Sequence, residues 1–319
     1  MLGQHIYMRC LVGHYQQDNQ INPGSRTAAI SEGMFSQSEV LSQLEARCNL
    51  DESFANAQGL LNSGKTVLRI YHLRSRQDGK NKDRLVVSRS AWTNDLLTDG
   101  RQCVYTFNHI VTDEHIPKLF KNPGALFKPD RFEAYASCCE RIRASQNKRL
   151  TIDMQYSRLS PGEMQPNLRI FKDCGFSGKT FRLYMNGIFQ SLEARDPKPL
   201  AVILPKKILS AWSGGHDPIE QLIYATYMLL PSFVRIRLSC TSHWSCDVMR
   251  SQRDTAHLVF VHPQNERDQA DLMNSGAFVL DMESDSCVGI QGDRYAFIDH
   301  LFNVIGHDGD TEDLAEMDT

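Results

Sequence analysis

The letters in this chain most suggestive of chemistry are Gly59-Leu60-Leu61-Asn62-Ser63-Gly64-Lys65-Thr66, which fit G-x-x-x-x-G-K-[ST]. In a phosphate-binding loop the glycines let backbone N–H groups close around phosphates, the lysine reaches the terminal phosphates and the hydroxyl holds magnesium. That chemistry needs a strand entering the loop and a helix leaving it, because the helix N-terminus supplies part of the anion site. Here the flanks are reversed: residues 36–57 read as a polar helix and residues 67–73, VLRIYHL, as a strand. The match at Gly59, Gly64, Lys65 and Thr66 is therefore read as a turn leading into a strand, and no nucleotide site, cofactor or metal is assigned. A second Gly-Lys-Thr, Gly178–Thr180, lacks the upstream glycine and precedes FRLYM, so it too reads as a turn before a strand.

A denser polar segment runs from Arg89 to His109. Ser90, Asp95 and His109, with Arg101 beside them, contain the residue types of a hydrolase triad, but Ser90 has no G-x-S-x-G elbow around it. The plainer reading pairs Asp95 with Arg101 and packs Trp92 and His109 over a hairpin edge, where they form a recognition surface. His243 and Cys246 have H-x-x-C spacing, with His257 and His262 following, yet no second ligand pair completes a zinc site. The basic stretch Arg141-Ile142-Arg143, then Lys148-Arg149, lacks interleaved aromatics and reads as the exposed last turn of a helix, where cations oppose the macrodipole.

These residues must be positioned by ordinary globular elements. The 319 residues exceed one usual core and imply two domains, expected at 1–125 and 126–305, with an acidic disordered tail at 306–319. A net charge of −3 argues against a dedicated nucleic-acid binder. Nine cysteines without a C-x-x-C pair suit reduced thiols in a cytosol better than a disulfide framework. The start, MLGQHIYMRC, shows no secretory pattern and no run is long enough to span a bilayer, so a cytoplasmic, membrane-free protein is expected.

Alternation around Ile6 and Met8 predicts a strand. Ser36 and Glu39 have capping-box spacing before a stripe of Val40, Leu41, Leu44 and Cys48. Strands follow at 66–73, 84–88 and 103–109, the first two joined by an Asp78-Gly79 hairpin turn. A helix is expected from near Asp130, with Phe132, Tyr135, Ala136 and Cys139 on one side, and a loop at 157–167. Residues 200–204 read as a buried strand. Asp217-Pro218-Ile219-Glu220 opens a helix with a cap and an N1 proline, and Pro231 stops it. Alternation from Phe233 to Cys240 predicts a strand with Val234, Ile236 and Leu238 facing one way and Arg235 and Arg237 the other. Strands at 257–262 and 277–281 and a helix at 294–305 complete an α+β reading. The first domain is built on antiparallel hairpins, the second on a mixed sheet packed by helices.

The segments QHIYMRC, PGSRTAAISEGMFSQSEV and VSRSAWTNDLLTDGRQCVYTFNHIV resemble the N-terminal domain of the bacterial GTPase-associated protein family. An arginine–serine segment, an aspartate, a Gly-Arg step and a final histidine recur there; here they are Arg89, Ser90, Asp95, Gly100, Arg101 and His109. LIYATYMLLPSFVRIRLSCTSHWS is similar to that family's middle domain through Leu230, Pro231, Arg235, Leu238, Ser239 and Thr241. The resemblance, over roughly residues 4–112 and 200–262, implies a component of a bacterial conflict (antiphage-type) system, encoded beside a GTPase or other NTPase. It implies no catalytic residues. The expected function is thus a non-catalytic regulatory or adaptor subunit that binds and controls a partner NTPase or effector. Its interface would use Trp92, Arg101, His109, Arg235 and Arg237, since arginine and aromatic residues dominate binding hot spots. Two alternatives stand beside it: a hydrolase or nucleotide-processing enzyme using Ser90, Asp95, Arg101 and His109, and a sensor of an anionic small molecule.

Overall fold

The structure is a computed structural model of the chain. It describes residues 2–10, 24–31, 38–48, 66–77, 80–98, 100–112, 115–117, 132–145, 150–152, 168–196, 198–210, 217–244, 256–292 and 298–301. The protein is α+β, and it divides into two compact units, residues 1–119 with 128–160 and residues 120–127 with 161–319.

Unit 1 is a sheet of β1 (Leu2–Cys10), β2 (Gly24–Ser31), β3 (Thr66–Gln77), β4 (Lys80–Asn94), β5 (Gln102–Thr112) and β6 (Leu150–Ile152). The spatial order is β3-β4-β5-β1-β2-β6, antiparallel except for the parallel β2–β6 pair. The expected strands at 66–73, 84–88 and 103–109 are the middles of longer ones. The β3–β4 register, from Thr66 opposite Ala91 to Gln77 opposite Lys80, is that of a hairpin.

Strand alternation gives this sheet two buried faces. Helix α1 (Ser38–Cys48) lies on one, where Val40 and Leu44 pack against Ile30, Leu73, Val86 and Ile110. Helix α2 (Tyr135–Ala144) covers the other, where Cys138, Cys139 and Ile142 meet Ile6, Met8, Tyr105 and Phe107. This helix, expected within the second domain, belongs to unit 1 because its apolar stripe fills that face. Its stripe also differs from expectation: Ala136 is exposed and Cys138 buried. A bulge at Ala28, where Ile6 faces Ala29 and Tyr7 faces Thr27, keeps both faces of β2 in phase with β1.

Unit 2 orders its strands β11-β10-β7-β9-β8: β11 (Ser286–Val288), β10 (Phe278–Asp281), β7 (Leu200–Ile203), β9 (Leu258–Val261) and β8 (Cys240–Trp244). The β10–β7, β7–β9 and β9–β8 pairs are parallel and β10–β11 is antiparallel. Helices α3 (Ile170–Asp173), α4 (Gly178–Glu193), α5 (Lys206–Ser210), α6 (Pro218–Leu229), α7 (Ser232–Arg235) and α8 (Glu266–Met273) accompany them. Packed on one face, α4 approaches so closely that a Cβ on Gly187 would lie 2.7 Å from Leu200 Cδ1. Tyr184 Oη of α4 meets Thr226 Oγ1 of α6 at 2.8 Å, which puts α6 beside it. Leu272 of α8 joins the opposite face with Ala201, Ile203, Val259 and Val279.

Two local expectations are corrected. Gly178–Thr180 is the first turn of α4, not a turn before a strand: Ser177 and Thr180 form a capping box, and Phe181, Tyr184, Met185, Ile188 and Leu192 are buried at helical spacing. The β-like character of FRLYM gives way to that period. Residues 233–239 are not a strand. Pro231 starts the helical turn α7, and the strand begins at Cys240. Period-2 alternation is overridden because both arginines serve helix ends: Arg235 Nη2 donates to Met228 O of α6 at 2.8 Å, and Arg237 Nη2 to Leu192 O of α4 at 2.9 Å.

Candidate functional site

The carboxyl ends of β7, β8 and β9 gather a buried polar cluster in unit 2. The connection after β7 leads to β8, while that after the adjacent β9 leads to β10 on the other side of β7. Such a divergence is where open α/β sheets bind ligands, outside the carboxyl ends of the strands. Three buried side chains converge there: Asp217, the N-cap of α6, His243 of β8, and His262, which directly follows β9. Asp217 Oδ1 accepts the Ile219 N–H at 2.8 Å, and its Oδ2 lies 2.9 Å from His243 Nε2. The other ring nitrogen, His243 Nδ1, is 3.0 Å from His262 Nε2.

This geometry orders the protons. With His243 donating Nε2–H to the Asp217 carboxylate, its Nδ1 is an acceptor and His262 must donate Nε2–H to it. A proton arriving at His262 Nδ1 can then pass along the chain, leaving the positive charge on His243 against Asp217. The His262 ring is held well below its ordinary value of 6.5, first by burial and then by His243, so it resists keeping that charge itself. The arrangement can act as a proton relay. Both ring nitrogens of His243 are hydrogen-bonded within this cluster, and Cys246, the other half of the H-x-x-C pair, lies outside the described residues. Among the described residues no cluster of His, Cys, Asp or Glu is arranged to hold a metal ion. His257 stands at the opposite ends of these strands, where its Nδ1 meets Ser239 Oγ at 2.9 Å.

In unit 1 the structure separates the residues of the imagined triad. Ser90 pairs across the strands with Thr106, Oγ to Oγ1 at 2.8 Å, on the face covered by α1. His109, three residues after Thr106, projects to the α2 face, where its ring lies 5.0 Å from Phe107 and 4.8 Å from Phe132. Arg89 stacks over the same Phe132 at 4.5 Å. Serine and histidine are thus divided by the sheet itself. Asp95 organises the β4–β5 turn, accepting from the Leu97 N–H at 2.8 Å and from Thr98, with Arg9 Nε 3.4 Å away. Its link to Arg101 is through the backbone, Asp95 N–H to Arg101 O at 2.8 Å. Gly100 makes that turn with φ of +73°.

Of the expected interface residues, Trp92, His109 and Arg235 are buried, while Arg101 and Arg237 are exposed. Arg141 and Arg143 occupy the last turn of α2 as expected. The phosphate-loop match at Gly59, Gly64 and Lys65 lies outside the described residues; Thr66 begins β3.

Sequence reasoning missed a second polar cluster. On the α1 face, Arg69, Ser88, Asn108 and His5 stand in one cross-strand row over β3, β4, β5 and β1. Asn108 Nδ2 donates to His5 Nδ1 at 2.8 Å, His5 Nε2 lies 2.9 Å from Thr27 Oγ1, and that hydroxyl donates to Glu45 Oε1 of α1 at 2.5 Å. These letters are scattered over more than a hundred positions, so no local motif exposes them. Cys48 ends α1 above the row, and burial pushes its thiol up to about 12.

No protein-family model matches the chain, and no curated protein sequence matches it. Among the described residues no helix is long and apolar enough to cross a membrane.

Proposed function

We propose that this chain is a non-catalytic regulatory or adaptor subunit, which binds and controls a partner NTPase or effector of a bacterial conflict system. The resemblance to the GTPase-associated family supports the reading, and one observation carries it onto a surface. In the stretch 222–244 the large side chains serve the fold: Leu222, Leu230 and Leu238 are buried, Tyr227 Oη donates to Leu238 O, and both arginines bind helix-end carbonyls. Phe233 does not; it is 69% exposed at the α6–α7 corner, near the exposed Arg237 in sequence. An exposed aromatic with a neighbouring arginine is the composition of a binding hot spot. On this reading an NTPase is encoded by an adjacent gene, and co-expression with that product should give a complex that Phe233→Asp weakens by at least about 2 kcal/mol, with the melting temperature unchanged. Retention of the complex by a folded Phe233→Asp protein refutes the assignment.

The relay favours a second reading, in which unit 2 performs acid–base chemistry at the carboxyl ends of β7, β8 and β9. Here His262 is the base, His243 takes the displaced charge and Asp217 faces it. The alternative built on Ser90, Asp95, Arg101 and His109 has no geometric support, since Ser90 and His109 lie on opposite sheet faces.

A further inference from the structure

The polar row on the α1 face ends, at β3, in the charge of Arg69. Arg69 is half-buried as a residue, yet its Nε and Nη2 are sealed from solvent and have no hydrogen-bond partner among the described residues. Those two nitrogens form one edge of the guanidinium, and their N–H bonds run parallel. Two residues on, and on the same face, the Tyr71 hydroxyl is also buried and without a partner among the described residues. Arg47, in the last turn of α1, stacks over the Tyr71 ring at 4.9 Å and brings a second positive charge. The carboxylate nearest in this part of the sequence, Glu45, is engaged by the backbone N–H and the hydroxyl of Thr27. Burial pulls the Arg69 guanidinium below its ordinary value, and the charge of Arg47 adds to that pull.

A buried guanidinium edge whose two donors lack partners among the described residues is costly, and a group that presents two oxygens side by side completes it. We propose that Arg69 and Tyr71, with Arg47 behind them, form an oxyanion site that takes the carboxylate or phosphoryl group of a small ligand. The Nε–Nη2 edge grips two oxygens in parallel, and the Tyr71 hydroxyl donates to one of them. Arg47 adds charge without taking the ligand's oxygens in line. Lysine could not replace Arg69, because an ammonium offers a point charge and no fork. The site lies in unit 1, whereas Phe233 and the histidine relay belong to unit 2.

The test uses the full-length protein at constant ionic strength, titrated separately with inorganic phosphate, acetate and sodium chloride. Binding is read directly as phosphate ³¹P line broadening or acetate ¹H line broadening, and indirectly as the rise in melting temperature that a ligand of the native state produces. One oxyanion is expected to bind saturably where chloride does not; phosphate alone marks a phosphoryl ligand, acetate alone a carboxylate. Arg69→Met should weaken that binding by at least about tenfold, and Arg69→Lys should recover only part of it. Tyr71→Phe, which keeps the ring under Arg47, should weaken it several-fold and stands as the test variant if Arg69→Met does not fold. The proposal is overturned if neither oxyanion differs from chloride. It is equally overturned if a folded variant, Arg69→Met or in its place Tyr71→Phe, binds as the natural chain does.

Discussion

Replacing Asp217 separates its two duties, capping α6 and anchoring the histidine relay. In Asp217→Ala the Ile219 N–H loses its acceptor, which costs about 1 kcal/mol for an N-cap of this kind. His243 Nε2–H is left buried without its acceptor, adding about 1–3 kcal/mol. The expected loss is therefore about 3 kcal/mol, a fall in melting temperature of about 6–12 °C for a unit of this size. The Asp217→Asn variant behaves differently, since asparagine caps as well as aspartate. With its oxygen kept on Ile219, the new amide donates toward His243 Nε2, which must then offer a lone pair. His243 moves its proton to Nδ1, and His262 must accept it at Nε2. Every proton in the relay reverses, at a cost of only about 1 kcal/mol for exchanging a charge-assisted bond for a neutral one. Urea denaturation measures the two losses, and ¹⁵N NMR of the ring nitrogens reports the tautomers. Equal destabilisation by the two substitutions, or unchanged tautomers at His243 in Asp217→Asn, would refute the relay.

Two further outcomes follow from burial. Because the folded His262 binds its proton well below 6.5, the unfolded chain holds more protons just below that pH; stability is full above 6.5 and falls with acidification toward the folded value, by up to about 1.4 kcal/mol per pH unit. His262→Gln should flatten this slope in pH-dependent urea melts, and on the acid–base reading it should also abolish any p-nitrophenyl acetate hydrolysis by the chain; an unchanged slope contradicts the burial of this ring. Cys287 is exposed whereas Cys48, Cys138 and Cys174 are buried with thiols raised to about 12, so a disulfide reagent at neutral pH should react with Cys287 quickly and with those three only on unfolding. Cys287→Ser should therefore remove one fast equivalent from the titration, and rapid labelling of Cys48 in the native protein would contradict its placement.

Much of the architecture was legible from local pattern. Alternation located β1, strand-forming residues and the Asp78-Gly79 turn signal located β3, β4 and β5, and the Asp217-Pro218 cap and the stop at Pro231 bracketed α6, because each rests on contacts within a few residues. The failures have physical causes too. FRLYM and SFVRIRL carry strand-like letters, but a capping box and a proline-started turn, each satisfied by backbone groups nearby, set the conformation first. In the Ser90–His109 segment every residue type for a triad was present. A sheet sends residues of odd and even spacing to opposite faces, and only the register of β4 against β5 shows that Ser90 and His109 fall on different ones.

What the sequence determined alone was the α+β class and the positions of many elements. What the tertiary structure decided was which distant residues meet: His5 with Asn108, Asp217 with His243 and His262, and Arg69 with no acceptor among the described residues. Secondary structure is written in periods of two or a few residues, and composition carries it. A site is a convergence of side chains from separate elements, and that is fixed only when strand order, register and helix packing are fixed.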